Sequence, residues 1–229
     1  EFDVLKINIE SWIETIKQKN LKDLLSIEKV SLKNSFSRGL SYQLFENNGV
    51  LKRDFAKEII KNVTKDERYE LRKKGIKIGK YHIYQPRMIR PNAVKLKTIL
   101  WKCFNNVTDI SYPKFGLNFM SNFKNKNQKF LRICGFETFG KFIIRVDILE
   151  RLFLEILSRS TNYKFKLDAK VINLLGCNKD DFIKFIQLLE YKPIKINDNY
   201  EFKFVPKRVK GIKKKKIDNP FSILENLKV

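Results

Sequence analysis

A near match to a phosphate-binding loop is the first stretch of this sequence that could do chemistry. CGFETFGKF (residues 134–142) has two glycines and Lys141 at the required spacing, but Phe142 stands where Ser or Thr should hold Mg²⁺. Such a loop must also open a helix whose first N–H groups bind the anion, whereas the following FIIRV run favours a strand. We therefore predict a β-hairpin that turns at 137–140, preceded by a strand at 130–134, in place of a nucleotide site.

A second near match is the acidic stretch DERY (residues 66–69), which ends in Tyr where an ATP-driven motor would have His or Asp. In an ATP-driven motor, the acidic motif follows a buried apolar strand, whereas this stretch follows the polar residues NVTK. Thr64 with Glu67 three residues later is a capping-box pattern. The stretch therefore predicts the start of a short helix over 65–73.

Metal and thiol chemistry find little support in the composition. The three cysteines are far apart, and His82 is the only histidine, so neither a zinc site nor a disulfide framework is indicated. A single histidine without a partner is typical of a structural residue, and we interpret His82 in this way. We expect no catalytic residue, no metal and no cofactor in this chain.

The charge distribution is the strongest functional signal. The net charge is +23, and it is regional: residues 1–70 carry 13 basic and 12 acidic side chains, and residues 71–229 carry 35 and 13. Such an imbalance predicts a polyanionic partner for the second part of the chain. The alternative is a solvated surface in an organism whose proteins are generally rich in lysine. No apolar run approaches the roughly 18 residues of a membrane span, so we expect no membrane partner.

The hydrophobic periodicity predicts four regions. Helical spacing over 7–26, 32–45, 54–62 and 65–73 indicates a helical layer in residues 1–74. Residues 75–146 combine a ribbon, a helix and the hairpin, with a long loop proposed at 108–129. A third region at 147–206 and a basic tail with a short amphipathic segment at 207–229 complete the chain.

Residues 147–204 have the element order of a winged helix. Asp147 with Glu150 predicts a capped helix, and Asp168 and Asn178 predict the caps of two more helices. Alternating residues on both sides of Asn197 then predict a hairpin. The fold class is therefore α+β and mainly helical, with a helical N-terminal layer followed by a winged-helix-like module with β-hairpins and a basic tail.

The last helix of this module is poorly suited to DNA readout. Asp180 and Asp181 lie at its N-terminal end, where base edges or phosphates would be met. We therefore expect the module to pack against protein, with its hairpin and tail reaching a nucleic-acid backbone.

Five stretches together, in this order, resemble the C-terminal region of an alphaproteobacterial superfamily-two helicase related to the RNA helicase of the mitochondrial degradosome. They are GLSYQLFENNGVL, GIKIGKYHIYQPRMIRPNAVKLKTILW, GFETFGKFIIRVDILERL, LLGCNKDDFIKFIQLLEYKP and NPFSILENLK. The resemblance covers the chain from about residue 32 onward. One departure is the segment between Pro86 and Pro91, which is mostly apolar in that family and carries Arg87 and Arg90 here.

The resemblance implies an accessory region that packs on helicase motor domains and helps form a channel for single-stranded nucleic acid. The motor domains, with their ATP and Mg²⁺, would lie upstream in the same full-length chain. It also implies the cytoplasm of a bacterium or the mitochondrial matrix as the location. A nuclease or a ribonucleoprotein is a further possible partner.

Three basic stretches are candidates for binding RNA or single-stranded DNA. The first mixes cations with tyrosines that could stack on bases or else belong to the core: Lys77, Lys80, Tyr81, Tyr84, Arg87 and Arg90. The second has Lys124, Lys126 and Lys129 among phenylalanines, for which packing is the favoured interpretation. The third is a tail expected to act as an electrostatic arm or only as a solubilising extension: Lys207, Arg208, Lys210, Lys213, Lys214, Lys215 and Lys216.

These observations lead to one hypothesis and two rivals. The hypothesis is a nucleic-acid-binding accessory region of an ATP-dependent helicase, with single-stranded RNA favoured and no chemistry of its own. The rivals are a structural ribonucleoprotein component, for example one associated with the ribosome, and a protein-recruiting scaffold.

Overall fold

A layer of helices forms the first part of the fold. The computed structural model describes residues 2–28, 35–125, 127–196 and 199–206. The helices of the layer are α1 (Phe2–Glu28), α2 (Ser35–Glu46), α3 (Lys57–Asn62) and α4 (Lys65–Lys73). The C-terminal half of α1 and the inner face of α2 share a buried core formed by Leu21, Leu24, Ile27, Leu40 and Leu44. The capping box predicted at the start of α4 is confirmed, because Thr64 and Glu67 bond to each other's backbone N–H groups.

A small sheet follows the helical layer and supplies the ribbon predicted at 75–84. Its strands are β1 (Val50–Lys52), β2 (Lys77–Ile78) and β3 (His82–Tyr84), in the antiparallel order β1-β3-β2. Strand β1 was not expected from the sequence. A 3-10 turn at Pro86–Ile89 then leads into the predicted helix α5 (Pro91–Asn105).

The hairpin that replaces the phosphate loop is confirmed. Strands β5 (Phe136–Phe139) and β6 (Phe142–Arg145) pair antiparallel, and β4 (Phe119–Ser121) pairs with the other edge of β6. Two expectations were wrong here. The turn lies at Gly140 and Lys141 where 137–140 was expected, and the segment before the hairpin is helix α6 (Gln128–Ile133) where a strand was expected. The proposed long loop is interrupted by β4, because Phe119 is buried in a hydrophobic core.

The third part of the chain confirms the winged-helix-like module and the α+β fold class. Its elements are α7 (Val146–Arg159), β7 (Lys164–Lys166), α8 (Ala169–Leu175), α9 (Lys179–Leu188), β8 (Tyr191–Ile196) and β9 (Asn199–Phe204). The sheet has the antiparallel order β7-β9-β8. Asp168 and Asn178 accept the capping bonds that the sequence predicts. None of the described helices is both long and apolar enough to cross a membrane.

Aromatic side chains hold the module together and join it to the hairpin. Phe182, Phe185 and Phe202 are fully buried, and they share one core with Phe142 and Ile144 of β6. Phe142 packs edge-on against Phe185, with their ring centroids 6.2 Å apart. The residue that breaks the phosphate-loop pattern is therefore a core residue between the hairpin and the module.

The predicted cap of α7 was wrong. The helix starts at Val146 without a side-chain cap, and the carboxylate of Asp147 instead accepts hydrogen bonds of 2.6 and 3.0 Å from the guanidinium of Arg145. Glu150 is not part of a capping box either. Its carboxylate is buried and turned toward the ribbon, 70 residues earlier in the chain.

Candidate nucleic-acid interface

The carboxylate of Glu150 fixes the turn of the ribbon against α7. Its two oxygens accept hydrogen bonds from the backbone N–H groups of Lys80, Tyr81 and His82, at 2.6, 2.8 and 2.7 Å. Consecutive amides that converge on one carboxylate form a backbone nest, a favourable site for a negative charge. Gly79 makes the approach possible, because a Cβ at this position would clash with the carboxyl group.

A second buried carboxylate completes the network on the other side of His82. Oε2 of Glu137 accepts a hydrogen bond of 3.0 Å from Nε2 of His82. Oε1 of the same carboxylate forms an ion pair of 2.9 Å with Nζ of Lys52. His82 is 1% exposed and Glu137 is 2% exposed, so these charges are shielded from water. The structural interpretation of His82 therefore agrees with its place in the core.

The network shifts the protonation of both partners toward their charged forms. Burial alone would lower the pKa of His82, but the carboxylates of Glu137 and Glu150 raise it above its ordinary value. Burial alone would raise the pKa of Glu137, but His82 and Lys52 lower it. The network thus favours the charged form of His82, with Nε2 hydrogen-bonded to Glu137 and Nδ1 3.7 Å from Oε1 of Glu150, without a hydrogen bond.

A cationic groove lies on the solvent side of the same ribbon. It has a volume of about 730 Å³, and α4, the ribbon and α7 form its walls. Its cationic lining consists of Arg53, Arg68, Arg72, Lys77, Lys80 and Arg151. Phe153 and Leu154 of α7 add an apolar surface to it.

A second groove continues the first toward the 3-10 turn. It has a volume of about 500 Å³ and shares Arg72, Lys77 and Pro86 with its neighbour. Its further cations are Lys73, Lys74, Arg87 and Arg90. We call the two together the basic groove. Most residues of the first predicted stretch line the basic groove. They lie there beside cations of α4 and α7 that the sequence analysis did not single out.

The acidic groups that line the basic groove already have partners of their own. Asp23 pairs with Arg87 at 3.0 Å, Asp147 pairs with Arg145, and Glu150 is bound by the ribbon amides. Several exposed cations of the groove have no ion-pair partner within the described part of the chain: Arg72, Lys74, Lys77, Arg90 and Arg151. The groove therefore presents uncompensated positive charge to solvent.

Neither tyrosine of the first stretch offers an exposed ring to this groove, although Tyr84 contributes to its lining. Tyr84 is buried, and burial raises its pKa to about 12. Tyr81 is half-buried, contacts Phe153 edge-on with a centroid distance of 5.8 Å, and has its pKa raised by burial. The proposed stacking of bases on Tyr84 is thus corrected: Tyr84 is a core tyrosine, the alternative that the sequence left open.

The second predicted stretch lies at other places on the surface. Lys124 and Lys129 are exposed, and Lys129 lines a separate groove of about 420 Å³ together with Phe55 and Arg132. Phe119 and Phe130 are buried, which confirms the packing interpretation for these two, whereas Phe115 is exposed and Phe123 is half-buried. Lys126 lies outside the described residues.

The third predicted stretch, from Lys207 to Lys216, also lies outside the described residues, as does the amphipathic segment at 217–229. Within the described chain, no group of histidine, cysteine and acidic side chains is arranged to hold a metal ion.

The glutamate that holds the ribbon allows a direct test of this geometry. We expect Glu150→Gln to lower the free energy of unfolding by roughly 3 kcal/mol, because an amide cannot accept three N–H bonds with the strength of a carboxylate. Urea unfolding of the full chain measures this loss. Glu155→Gln on the same helix is the matched control, because its ion pair with Arg159 is partly exposed and therefore screened by solvent. Equal losses in both variants would contradict the role of Glu150.

The raised pKa of His82 predicts a pH-dependent stability. The folded protein binds a proton at His82 that the unfolded chain releases near pH 6.5, so this contribution is complete below that pH and is lost as the pH rises through the folded pKa. We therefore expect the stability difference between wild type and His82→Gln to shrink between pH 6 and 8, as measured by urea unfolding. Buried Lys97, whose pKa is lowered to about 7, acts in the opposite direction but is common to both proteins. A constant difference across this range would show that His82 does not titrate as the structure indicates.

Comparison of the chain with protein-family models, with curated proteins and with solved structures found no match in any of the three. The helicase resemblance therefore stays a prediction from the sequence.

Proposed function

We propose that this chain binds single-stranded nucleic acid in the basic groove as a non-catalytic accessory region of an ATP-dependent helicase. The observation that carries the proposal is the row of uncompensated cations that α4, the ribbon, the 3-10 turn and α7 bring to one continuous groove. Sequence-independent binding of a nucleic-acid backbone needs such a row, because each neutralised phosphate releases a counterion.

The lining of the groove suits a single strand. Phe153 and Leu154 provide apolar contacts for bases, while the cations on either side reach the phosphates. Nζ of Lys80 lies 5.8 Å from the centroid of the Phe153 ring, so charge and apolar surface are adjacent here. RNA is favoured over DNA by the helicase resemblance.

The remaining parts of the proposal rest on the sequence. ATP and Mg²⁺ would act in motor domains elsewhere in the full-length protein, and this chain would contribute strand binding alone. The location would be the bacterial cytoplasm or the mitochondrial matrix. A nuclease or a ribonucleoprotein would be the further partner.

A protein-recruiting scaffold is the second candidate function, and one observation favours it. The N-terminal half of α1 exposes Phe2, Leu5, Ile9 and Trp12, spaced three or four residues apart on one helix. An exposed apolar stripe of this kind is typical of a protein-protein contact. The two functions are compatible, because α1 exposes this stripe in its first half and reaches the basic groove only near its C-terminal end, at Asp23 and Ser26.

The groove is tested by removing its unpaired cations. We expect the triple variant Arg72→Gln, Lys77→Gln, Arg90→Gln to weaken binding of a labelled single-stranded RNA. The log-log salt slope should flatten by about 2, since each lost phosphate contact accounts for about 0.7. Fluorescence anisotropy of the full chain across a salt series measures both quantities.

The matched control removes the same net charge away from the groove. Lys19, Lys61 and Lys65 are exposed, line none of the grooves described and can be changed to Gln together. Equal effects of the two triple variants would mean that only net charge matters, which contradicts a groove site. Replacing Lys213 to Lys216 by Gln tests the tail: complete loss of binding in that variant would assign binding to the tail.

The absence of chemistry in this chain is a separate prediction. We expect no ATP hydrolysis by the purified chain, because Phe142 cannot ligate Mg²⁺ and the loop before it leads into a strand. A phosphate-release assay with wild type and Lys141→Ala checks this. Hydrolysis that disappears in the Lys141 variant would contradict the proposal.

A further inference from the structure

A row of three lysines crosses the outer face of the winged-helix sheet. Lys203 of the central strand β9 is directly opposite Lys164 of β7 on one side and Lys192 of β8 on the other. Side chains directly opposite each other on adjacent strands lie on the same face of a sheet. The strands are about 4.8 Å apart, so the row extends across roughly 10 Å.

The face that carries this row is turned to solvent. Phe165 and Phe202 belong to the opposite face and are buried in the core, while Lys192 and Lys203 are exposed. The adjacent row on the outer face consists of Lys166, Glu201 and Ile194. Glu201 pairs with Lys164 at 3.4 Å, so four lysines share a single carboxylate.

Structural stability does not account for this arrangement. Like charges directly opposite on neighbouring strands destabilise a sheet. Lysines on edge strands often protect a sheet from pairing with other chains, and this could explain Lys164 and Lys192. Lys203 lies on the central strand, where there is no edge to protect, and it has a lysine on each side. A like-charge row of this kind is expected where an anionic ligand neutralises it.

The chemistry of the face points to a nucleic-acid duplex. Surfaces that hold single strands supply aromatic rings on which bases stack, and neither row of the outer face contains an aromatic residue. Duplexes are bound through phosphates and overall shape, for which a rigid array of cations is sufficient. The N-terminal end of α9, which carries Asp180 and Asp181, is poorly suited to the same ligand.

We propose that the outer face of the β7-β9-β8 sheet, with Lys164, Lys166, Lys192 and Lys203, binds the phosphate backbone of a nucleic-acid duplex. This site is separate from the basic groove, and its residues line none of the walls of that groove. A duplex on the sheet and a single strand in the groove would place this chain at a junction between the two.

The test is the triple variant Lys164→Thr, Lys192→Thr, Lys203→Thr in the full chain, which keeps strand-favouring residues at all three positions. Anisotropy with a short blunt RNA duplex should show an affinity loss of about tenfold or more, and the log-log salt slope should flatten by about 2 to 3. Single-stranded RNA should be affected less than the duplex. The single variant Lys203→Thr should raise the unfolding temperature or leave it unchanged, because it removes the like-charge contacts.

Several results would overturn the inference. The first is a duplex affinity of the lysine variant equal to that of the control triple variant (Lys19→Gln, Lys61→Gln, Lys65→Gln). The second is an equal loss of affinity for single strand and duplex. The third is a lower unfolding temperature of Lys203→Thr with unchanged duplex binding. Binding of anionic phospholipid vesicles that depends on the three lysines, without duplex binding, would assign the face to lipid headgroups instead. If the triple variant of the basic groove binds single-stranded RNA as tightly as wild type, the groove site is refuted. A loss of duplex binding in the lysine variant would still support the sheet site.

Discussion

The buried carboxylate of Glu150 is the interaction on which the rest of this structure depends. A carboxylate removed from water is costly unless it is fully bonded, and three consecutive ribbon amides provide those bonds. Gly79 is required at this point because a side chain there would occupy the space of the carboxyl group. The ribbon and α7 are therefore held in one relative position, although they are 70 residues apart in the chain.

This constraint separates the charges of the ribbon by burial. His82, on the central strand, meets Glu137, and the pair is stabilised as ions because each charge has a buried partner. Lys77 on the edge strand and Lys80 in the turn stay exposed beside Arg151 of α7. The same turn thus holds a compensated ionic core and an uncompensated cationic surface, and the rigidity of the first keeps the second in place.

Local sequence patterns predicted the elements whose bonds are local. The Thr64 cap and the β5-β6 hairpin depend on neighbours within a few residues, and the structure confirms them. Strands β1, β4 and β7 have three residues each, too few for a recognisable alternation, and they exist because a partner strand lies beside them. Glu150 was assigned to a cap for the same reason: its position in the sequence fits one, but its bonding partners are distant.

The basic groove could not be located by counting charges along the sequence. Residues 1–70 are nearly neutral as a whole, yet Arg68 belongs to the wall of the groove, and Arg72 just beyond them extends it. A net charge averages over a segment, whereas a helix separates its charges by face: residues four apart such as Arg68 and Arg72 lie together. Tyr84 illustrates the converse, since it lies directly opposite the exposed Lys77, yet its ring is buried because the central strand β3 is covered on both faces. A nucleic-acid interface in such a chain is therefore defined by which faces the buried contacts leave exposed, and composition alone locates it only to within a region.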